Sequence, residues 1–381
     1  MKILLALTVY EVGGVSSVAR NLLDCFSEDE FDITLLTEKL FHKHYPIINN
    51  NIRLINLDIS PQKYFFAKVA NIICHIISMR RHIIREKPDV ILSFGSYMNC
   101  HVLLSLLFNS GKRPKIILTE HSQEMFLSIR NKNIRYIFFN TAYRILMFLL
   151  YCKADYIVTV SKSIAARIKK IFFVSPYKIR VIYNPVNISK IKELCREKDL
   201  LLGFNEALPC IGTVSRLSPE KGINFLIQGF KVLLDKIDAV LIIVGDGAER
   251  LRLEQMAKEL GIKEKVIFTG LTNNPFKYIT KMDVFILPSL WEGFPNVLLE
   301  AMVCGVPVIA SDSPGGIREA IKNRVNGLLI KPGSSLEIAE SAYDLLSNRE
   351  KRFKIIEEAY KSVKQFNIDI IKKEYKNLMF S

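Results

Sequence analysis

Residues 284–311 read VFILPSLWEGFPNVLLEAMVCGVPVIAS. Two continuously apolar runs, at 284–289 and 306–311, flank a helical pattern that begins near Pro295. Continuous apolar runs are typical of strands that are covered on both faces, and a strand–helix–strand order is typical of a crossover between parallel strands. This stretch therefore predicts a parallel sheet with helices packed on its faces.

The same alternation fills the rest of the chain. In the first half, we predict strands at 2–8, 31–37, 52–57, 89–94, 115–119, 155–160 and 178–183, and helices at 14–26, 63–86, 97–108, 131–152 and 161–172. A charged segment, Lys190 to Asp199, is interpreted as a linker. A second series runs from about residue 208 to a last strand at 326–330, followed by a charged helical tail from Ser335. The predicted class is α/β, with two Rossmann-like, doubly wound domains that face a central cleft.

We assign residues 1–190 to the N-terminal domain and 191–365 to the C-terminal domain. With 381 residues, 49% of them hydrophobic, the chain is a folded globular protein and not a collagenous, low-complexity or disordered one. The net charge of +15 is uneven, because residues 1–190 hold 26 Lys and Arg against 13 Asp and Glu, a net +13. This basic half favours an anionic partner, such as nucleic acid, anionic lipid or a phosphorylated small molecule.

Cysteine usage and hydropathy indicate the compartment. The seven cysteines occur singly, without a C-x-x-C motif, and we expect them to be buried small hydrophobic residues in a reducing compartment. Glu11 interrupts the apolar N-terminus, which therefore predicts a first strand rather than a signal peptide. Arg144 breaks the longest apolar stretch, so we expect no membrane-spanning helix.

Two cations follow the first strand of the second domain. Arg216 and Lys221 lie in the sequence GTVSRLSPEKG, at the carboxyl end of the strand, where such sheets bind their ligands. A turn that contains proline separates them, so both side chains can converge on a diphosphate. The alternative is that they are ordinary solvated surface charges.

Two carboxylates frame the helix of the opening stretch. Glu292 lies in the loop before the helix, and Glu300 lies within its apolar stripe, where an unpaired carboxylate would be costly. Pro295 suits the first turn, so the N–H groups of residues 296–298 are predicted as free donors for a phosphate. Glu292 can then accept hydrogen bonds from sugar hydroxyls and Glu300 can reach a ribose, whereas a solvated helix face is the alternative for Glu300.

A glycine pair, Gly13-Gly14, separates the first strand from the first helix. Glycine there lets the backbone approach a ligand at a helix N-terminus. A tight turn without a ligand explains the pair equally well, because the full G-x-G-x-x-G fingerprint is absent.

The motifs of the second domain form a recognisable set: GTVSRL-x-PEKG, VGDG, F-x-G and PS-x-x-EGFP-x-V-x-LEAM-x-x-G-x-PVIASD, between Gly212 and Glu319. Weaker agreement appears at residues 119–121, 160–163 and 184–185. This set resembles the family 4 retaining glycosyltransferases of the GT-B fold. The resemblance implies that the second domain binds a nucleotide sugar, that the first binds the acceptor, and that a C-terminal helix, residues 366–381, packs back on the N-terminal domain.

Carried over to this chain, the resemblance implies a role for each candidate residue. Arg216 and Lys221 neutralise the donor diphosphate, and Glu292 orients the sugar hydroxyls. Glu300 binds the nucleotide ribose. Gly14 approaches the diphosphate from the first domain, and His121, after the strand KIILT, contacts the transferred sugar. The remaining donor-binding positions are Gly293, Phe294, Asn296, Val297 and Leu298.

No Asp-x-Asp occurs in the sequence, so we expect neither a metal ion nor another cofactor, with Arg216 and Lys221 in the place of a metal. The resemblance implies retention by same-face attack, with the leaving phosphate accepting the proton of the acceptor. Uridine, guanosine and adenosine donors all remain open. The TEHS sequence of residues 119–122 resembles bacterial members that use a UDP-hexose or UDP-N-acetylhexosamine.

Two basic segments, 63–87 and 128–153, combine aromatic and aliphatic residues with Lys and Arg. Together with the charge of their domain, they predict binding to an anionic membrane surface, although helices packed on the sheet with solvated cations would show the same pattern. The family's acceptors imply a lipid-linked, lipopolysaccharide or capsule glycan. We therefore expect a cytoplasmic protein, peripheral on the inner face of the membrane.

Other classes fit the sequence less well. A nucleic-acid-binding protein would show a recognised motif or basic residues interleaved with aromatics on an exposed sheet, and neither is present. A dinucleotide-dependent enzyme would carry the full glycine fingerprint. A phosphorylase of the GT-B fold would show an extended signature for a pyridoxal cofactor on a lysine, and none is visible. A GT-B epimerase or a mannosyltransferase that uses GDP-mannose remains as an alternative within the same fold.

Overall fold

The computed structural model describes residues 1–10, 14–27, 31–40, 52–57, 65–107, 111–121, 134–172, 174–197 and 207–381. The chain divides into two compact units, residues 1–185 with 368–381, and residues 186–367. The expected linker, 190–199, overlaps a helix at Ile188–Leu194 that belongs to the second unit.

The first unit contains a parallel sheet of seven strands in the order β3-β2-β1-β4-β5-β6-β7. Its strands are Lys2–Tyr10 (β1), Asp32–Leu40 (β2), Arg53–Asn56 (β3), Val90–Phe94 (β4), Lys115–Glu120 (β5), Tyr156–Thr159 (β6) and Ile179–Val181 (β7). The helices described between them are Gly14–Ser27 (α1), Phe65–Glu86 (α2), Ser96–Ser105 (α3), Ile134–Leu150 (α4) and Lys162–Ile171 (α5). Each strand predicted for this half is present.

The central strand explains why its sequence is continuously apolar. Along β1, Leu5 and Leu7 point into one buried cluster, and Leu4 and Ala6 point into another on the opposite face of the sheet. Successive residues of a strand face opposite sides, so a strand covered on both faces needs apolar residues at every position.

The last helix, Ile368–Phe380, packs on this first unit, as predicted. Its residues Ile371 and Tyr375 join the same buried cluster as Leu5. The Nζ of Lys115 donates hydrogen bonds to the carbonyls of Leu378 and Met379, at 3.3 and 3.1 Å. A cation at the C-terminal end of a helix complements both the free carbonyls and the helix dipole.

The second unit contains a parallel sheet of six strands in the order β10-β9-β8-β11-β12-β13. Its strands are Cys210–Val214 (β8), Val240–Val244 (β9), Val266–Gly270 (β10), Val284–Leu287 (β11), Val308–Ser311 (β12) and Leu328–Ile330 (β13). Its helices are Ile188–Leu194 (α6), Ile223–Leu234 (α7), Arg250–Glu259 (α8), Phe276–Ile279 (α9), Asn296–Val303 (α10), Ile317–Ala320 (α11), Ser335–Ser347 (α12) and Arg349–Val363 (α13). The helix at 368–380 is α14.

Both sheets reverse their strand order at one point. In the first unit the reversal lies between β1 and β4, and in the second between β8 and β11. Connections leave such a pair of strands in opposite directions and open a crevice at their carboxyl ends, where doubly wound sheets bind ligands. Arg216 and Lys221 follow β8, and Glu292 follows β11.

The cysteine prediction is partly wrong. Cys25, Cys100 and Cys210 are buried, but Cys74 and Cys152 are exposed, and Cys195 and Cys304 are half-buried. The helices within the described ranges are all too short or too polar to cross a bilayer.

Replacing Tyr375 tests how strongly the last helix holds the first unit. Tyr375 is 1% exposed, so Tyr375→Ala is expected to lower the free energy of unfolding by about 3–5 kcal/mol, measured by urea titration with circular dichroism. Lys373→Ala, at an exposed position of the same helix, is the control and should change it by under about 0.5 kcal/mol. Equal effects of the two variants would contradict the packing described here.

Candidate functional site

The loops after β8 and β11 are joined by close backbone contacts. Gly222 has a φ of +65°, and a Cβ at this position would lie 2.3 Å from the carbonyl oxygen of Pro288. The amide of Leu290 donates to the carbonyl of Glu220 at 2.8 Å. Only glycine combines this backbone conformation with so close an approach, and it brings the turn that carries Lys221 against the loop that carries Glu292.

Lys221 and Glu292 form an ion pair in this crevice. The Nζ of Lys221 lies 2.6 Å from Oε1 of Glu292, and the side chains are 20% and 12% exposed. The pair joins positions 71 residues apart, which we identified separately in the sequence. A charge-assisted hydrogen bond with this degree of burial fixes both groups more firmly than a surface pair would.

The loop after β12 is hydrogen-bonded to the backbone at Glu292 and Gly293. The amide of Glu292 donates to the carbonyl of Pro314 at 3.1 Å, and the amide of Gly316 donates to the carbonyl of Gly293 at 3.0 Å. Between them, Gly315 has a φ of +133°, and a Cβ there would lie 1.7 Å from the carbonyl oxygen of Glu292. The loops after three neighbouring strands therefore set the position of Glu292.

Arg216 lies at the rim of the same loop. Its Nη2 is 3.1 Å from Oε1 of Glu220, and its side chain is 68% exposed. Although partial burial opposes the change, the Ser218 hydroxyl and the Arg216 guanidinium hold the pKa of Glu220 below its usual range. Glu220 thus remains ionised and orients a guanidinium that is open to solvent.

The N-terminus of α10 differs from the prediction. The amide of Asn296 donates to the carbonyl of Phe294 at 3.1 Å, and the amide of Leu298 donates to the carbonyl of Pro295 at 3.0 Å. The expectation that these N–H groups are free is wrong for both residues, because the chain turns tightly before the helix and satisfies them locally.

The remaining candidate residues, on α10 and just before it, differ in how deeply they are buried. Phe294 is 6% exposed and packs on Phe366, with ring centroids 5.5 Å apart, so its side chain serves the core. Leu298 is fully buried, whereas Val297 and Glu300 are half-buried. The hydrogen bond with Cys195 and burial raise the pKa of the Cys304 thiol, and the carboxylate of Glu300 contributes a smaller part of this shift.

Three buried hydroxyls at the strand ends were not predicted from the sequence. The Oγ atoms of Ser215, Ser289 and Ser313 are buried, and the structure shows no hydrogen-bond partner for them within its described ranges. These residues follow β8, β11 and β12. Unsatisfied buried hydroxyls at a ligand-binding edge are suited to donate to a ligand. A serine near a strand end is too common to identify such a role by itself.

In the first unit, the glycine pair lies only partly within the described residues. Gly14 is the first residue of α1 and is exposed, and Gly13 lies outside the described ranges. Among the residues that the structure describes, no atom would lie within 4 Å of a Cβ on Gly14. The Ser16 hydroxyl donates to the carbonyl of Val9 at 3.0 Å and ties this turn to the end of β1.

His121 follows β5 and its ring is fixed on two sides. Its ring stacks on Phe94, with centroids 5.6 Å apart and an interplanar angle of 22°. The Thr119 hydroxyl donates to the carbonyl of Ser93 at 2.8 Å and also lies 2.8 Å from Nε2 of His121. A hydroxyl has one proton to donate, so Nε2 of His121 must donate to Thr119.

The neutral ring therefore carries its proton on Nε2 and leaves Nδ1 as an acceptor. His121 is 8% exposed, and its Nδ1 has no hydrogen-bond partner in the part of the chain that the structure describes. Burial lowers the pKa of His121 from 6.5 to about 4, so the ring is neutral at physiological pH. Such an acceptor favours a hydroxyl and disfavours an anion.

Glu120, beside His121, is fully buried in a hydrogen-bonded network. Its carboxylate accepts hydrogen bonds from the Ser96 hydroxyl and the Asn99 amide, both at 2.7 Å, and from the Tyr151 hydroxyl. Burial raises the pKa of Glu120, although these three donors oppose the shift. The network links β5 to α3 and to the turn after α4, and so holds the strand end that carries His121.

Nitrogen-15 NMR of the imidazole tests the assigned tautomer. In wild-type protein, His121 is expected to be neutral with its proton on Nε2 at pH 7, and to titrate with a midpoint of about 4 because of burial. Thr119→Val removes the acceptor and should increase the fraction of the ring that carries its proton on Nδ1, whereas Thr119→Ser should leave that fraction unchanged. A midpoint of 6 or above, or a proton on Nδ1 in the wild type, would contradict the assignment.

Two family models match the chain. Glycosyltransferase Family 4 matches residues 12–190, and Glycosyl transferases group 1 matches residues 198–362. The chain belongs to the glycosyltransferases that combine these two domains.

Curated relatives agree with this assignment. An uncharacterized glycosyltransferase of Methanocaldococcus jannaschii is 35% identical over 230 residues, 58% of this chain and 59% of that protein. The N-acetylgalactosamine-N,N'-diacetylbacillosaminyl-diphospho-undecaprenol 4-alpha-N-acetylgalactosaminyltransferase of Campylobacter jejuni is 29% identical over 264 residues, 69% of this chain and 68% of the enzyme. The UDP-Gal:alpha-D-GlcNAc-diphosphoundecaprenol alpha-1,3-galactosyltransferase of Escherichia coli is 26% identical over 334 residues, 84% of this chain and 81% of the enzyme.

Solved structures share the GT-B fold. Sucrose-phosphate synthase from Thermosynechococcus elongatus aligns with a TM-score of 0.83 at 19% identity, over 99% of this chain and 98% of that one. The Anabaena protein Alr3699/HepE, solved with UDP and glucose, aligns with a TM-score of 0.77 at 20% identity over the full length of both chains. The predicted fold class is therefore confirmed.

Proposed function

We propose that this glycosyltransferase is a retaining, metal-independent enzyme that moves a hexose or N-acetylhexosamine from a UDP-linked donor to a lipid-linked glycan. In this proposal it acts at an anionic membrane surface on the cytoplasmic side. The observation that carries the donor assignment is the half-buried pair of Lys221 and Glu292 at the point where the second sheet reverses its strand order.

The charges of the crevice suit a sugar diphosphate. When the glycosidic bond breaks, negative charge grows on the leaving phosphate oxygen, and a preorganised cation lowers the barrier by stabilising that charge. Lys221 has three N–H donors, so it can hold a phosphate oxygen while it keeps its bond to Glu292. Arg216 supplies a second cation, and the remaining acceptor capacity of Glu292 is available to sugar hydroxyls.

In the proposed reaction, the bond between the anomeric carbon and the phosphate oxygen breaks while the acceptor hydroxyl attacks from the same face. The proton of that hydroxyl passes to the leaving phosphate oxygen, and UDP departs. No protein nucleophile and no metal ion is required. We assign the Nδ1 of His121 to a hydroxyl of the transferred sugar, because a neutral acceptor pairs with a hydroxyl donor. Gly14 and Glu300 are assigned to the diphosphate and the ribose.

Relatives support the choice of substrates. The Escherichia coli relative uses UDP-galactose as its donor, and both named bacterial relatives act on a sugar attached to diphosphoundecaprenol. A GDP-mannose donor and an epimerase reaction have no such support.

Removing the Lys221 ammonium should slow the reaction. We expect Lys221→Ala to lower kcat/KM by a factor of roughly 30 to 1,000, because the charge of the leaving diphosphate loses a preorganised partner. This factor corresponds to a loss of about 2–4 kcal/mol of transition-state stabilisation. The assay would follow UDP release from UDP-sugars in the presence of a diphosphoundecaprenol-linked acceptor. Lys258→Ala, at an exposed position of α8, is the matched control and should leave kcat/KM unchanged. An unchanged kcat/KM in Lys221→Ala would rule out the assigned role.

Membrane binding is supported by two exposed apolar faces in the basic half. On α2, residues Val69, Ile73, Ile77 and Ile84 are exposed, and Ile137, Ile145, Phe148 and Leu149 are exposed on α4. Arg81 and Arg85 continue the exposed face of α2. Exposed aliphatic stripes beside arginines, in a half that carries +13, suit insertion into the headgroup region of an anionic bilayer.

Vesicle flotation tests this surface. Wild-type protein is expected to bind phosphatidylglycerol vesicles at low salt and to bind phosphatidylcholine vesicles weakly. The double variant Ile73→Ser, Ile77→Ser should weaken binding at least about tenfold, because two side chains can no longer be buried in the bilayer. Leu251→Ser, at an 80% exposed position of the second unit, is the control. Equal flotation of the double variant and the control would contradict the proposed surface.

A further inference from the structure

Two cysteines that are far apart in the sequence lie in contact within the second unit. The Sγ atoms of Cys195 and Cys304 are 3.4 Å apart, although 109 positions separate the residues. Cys195 directly follows the last residue of α6, and Cys304 directly follows the last residue of α10. Neither residue lies in the crevice of Lys221 and Glu292, and the proposed transfer reaction uses neither thiol.

The surrounding contacts hold the two thiols in place. The amide Nδ2 of Asn274 donates to the carbonyl of Leu194 and to Oε2 of Glu197, both at 2.9 Å, and so fixes the chain on either side of Cys195. The amide of Cys304 donates to the carbonyl of Glu300 at 3.1 Å. Both cysteines are half-buried, so a small oxidant can reach them.

We propose that Cys195 and Cys304 form a reversible disulfide site, with a peroxide as the oxidant. The Cys195 thiolate attacks one oxygen of the peroxide, the O–O bond breaks, and hydroxide leaves as a sulfenic acid forms. The sulfur of Cys304 then attacks that sulfur, the proton of the Cys304 thiol passes to the sulfenic oxygen, and this oxygen leaves as water. Two thiols and one hydrogen peroxide thus give one disulfide and two waters.

The environment of Cys195 matches its role as the first attacking group. A hydrogen bond from Cys304 lowers the pKa of Cys195, which favours the thiolate as the attacking group. Cys210, in contrast, is buried, and burial raises its pKa to about 12. Cys74 is exposed on α2 and serves as a comparison for simple access.

The disulfide would act on the helix that carries Glu300, a consequence that rests on the proposed function. A disulfide requires an S–S distance of about 2.05 Å, so the sulfurs must approach by more than about 1 Å. The amide of Cys304 donates a hydrogen bond to the carbonyl of Glu300, one turn earlier. A shift of Cys304 therefore also moves Glu300, the residue assigned to the ribose. We expect oxidation to weaken UDP binding by about fivefold, the effect of losing one hydrogen bond.

Peptide mass spectrometry tests the site. The full chain is treated with a small excess of hydrogen peroxide, free thiols are alkylated, and the protein is digested without reductant. A Cys195–Cys304 crosslinked peptide, two hydrogens lighter than its parts and cleaved by dithiothreitol, is expected in the wild type and in Cys74→Ser, but not in Cys304→Ser. Absence of this peptide from the wild type, or crosslinks spread over other cysteine pairs, would overturn the proposal.

Calorimetry with UDP tests the consequence for binding. Oxidised wild type is expected to bind UDP about fivefold more weakly than reduced wild type, whereas Cys304→Ser should bind equally before and after peroxide. Unchanged affinity in a fully crosslinked sample would overturn the link to Glu300. Failure of the reduced wild type to bind UDP would instead contradict the proposed function, and the crosslinked peptide would still decide whether the disulfide site exists.

Discussion

The ion pair between Lys221 and Glu292 is the contact on which the second unit's site depends. It joins the loops after the two strands where the sheet reverses its order. The loops after β8 and β11 can meet because Gly222 adopts a backbone conformation that places it against the carbonyl of Pro288, and Gly315 places the loop after β12 against the carbonyl of Glu292 in the same way. A cation and a carboxylate at 2.6 Å form a site that can hold a diphosphate and sugar hydroxyls side by side.

The fold was largely predictable from the sequence for a physical reason. A strand covered on both faces must be apolar throughout, so the strands of both sheets appear as continuous runs, as β1 shows with Leu4 and Leu5 in opposite clusters. Candidate residues at strand ends could be named, because ligands bind at that edge of the sheet. The pairing of distant positions could not be predicted, because neither the Lys221–Glu292 ion pair nor the Cys195–Cys304 contact leaves a local pattern in the sequence.

Local geometry accounts for most of the differences from the sequence predictions. The tight turn before α10 occupies the amides of Asn296 and Leu298, which a helix pattern alone does not reveal. The buried network around Glu120 depends on side-chain contacts between different elements, and the tautomer of His121 depends on the Thr119 hydroxyl, which donates to a carbonyl of β4. In the first unit, these contacts give a neutral acceptor at the end of β5.

The most direct test of the account is a crystal structure of the protein with UDP. We expect the diphosphate to lie within hydrogen-bond distance of the Lys221 Nζ, about 2.7–3.2 Å, in the crevice between the loops after β8 and β11. The ribose should lie beside Glu300. UDP bound away from these loops, with the Lys221–Glu292 pair unaltered and no phosphate oxygen near it, would contradict the central claim.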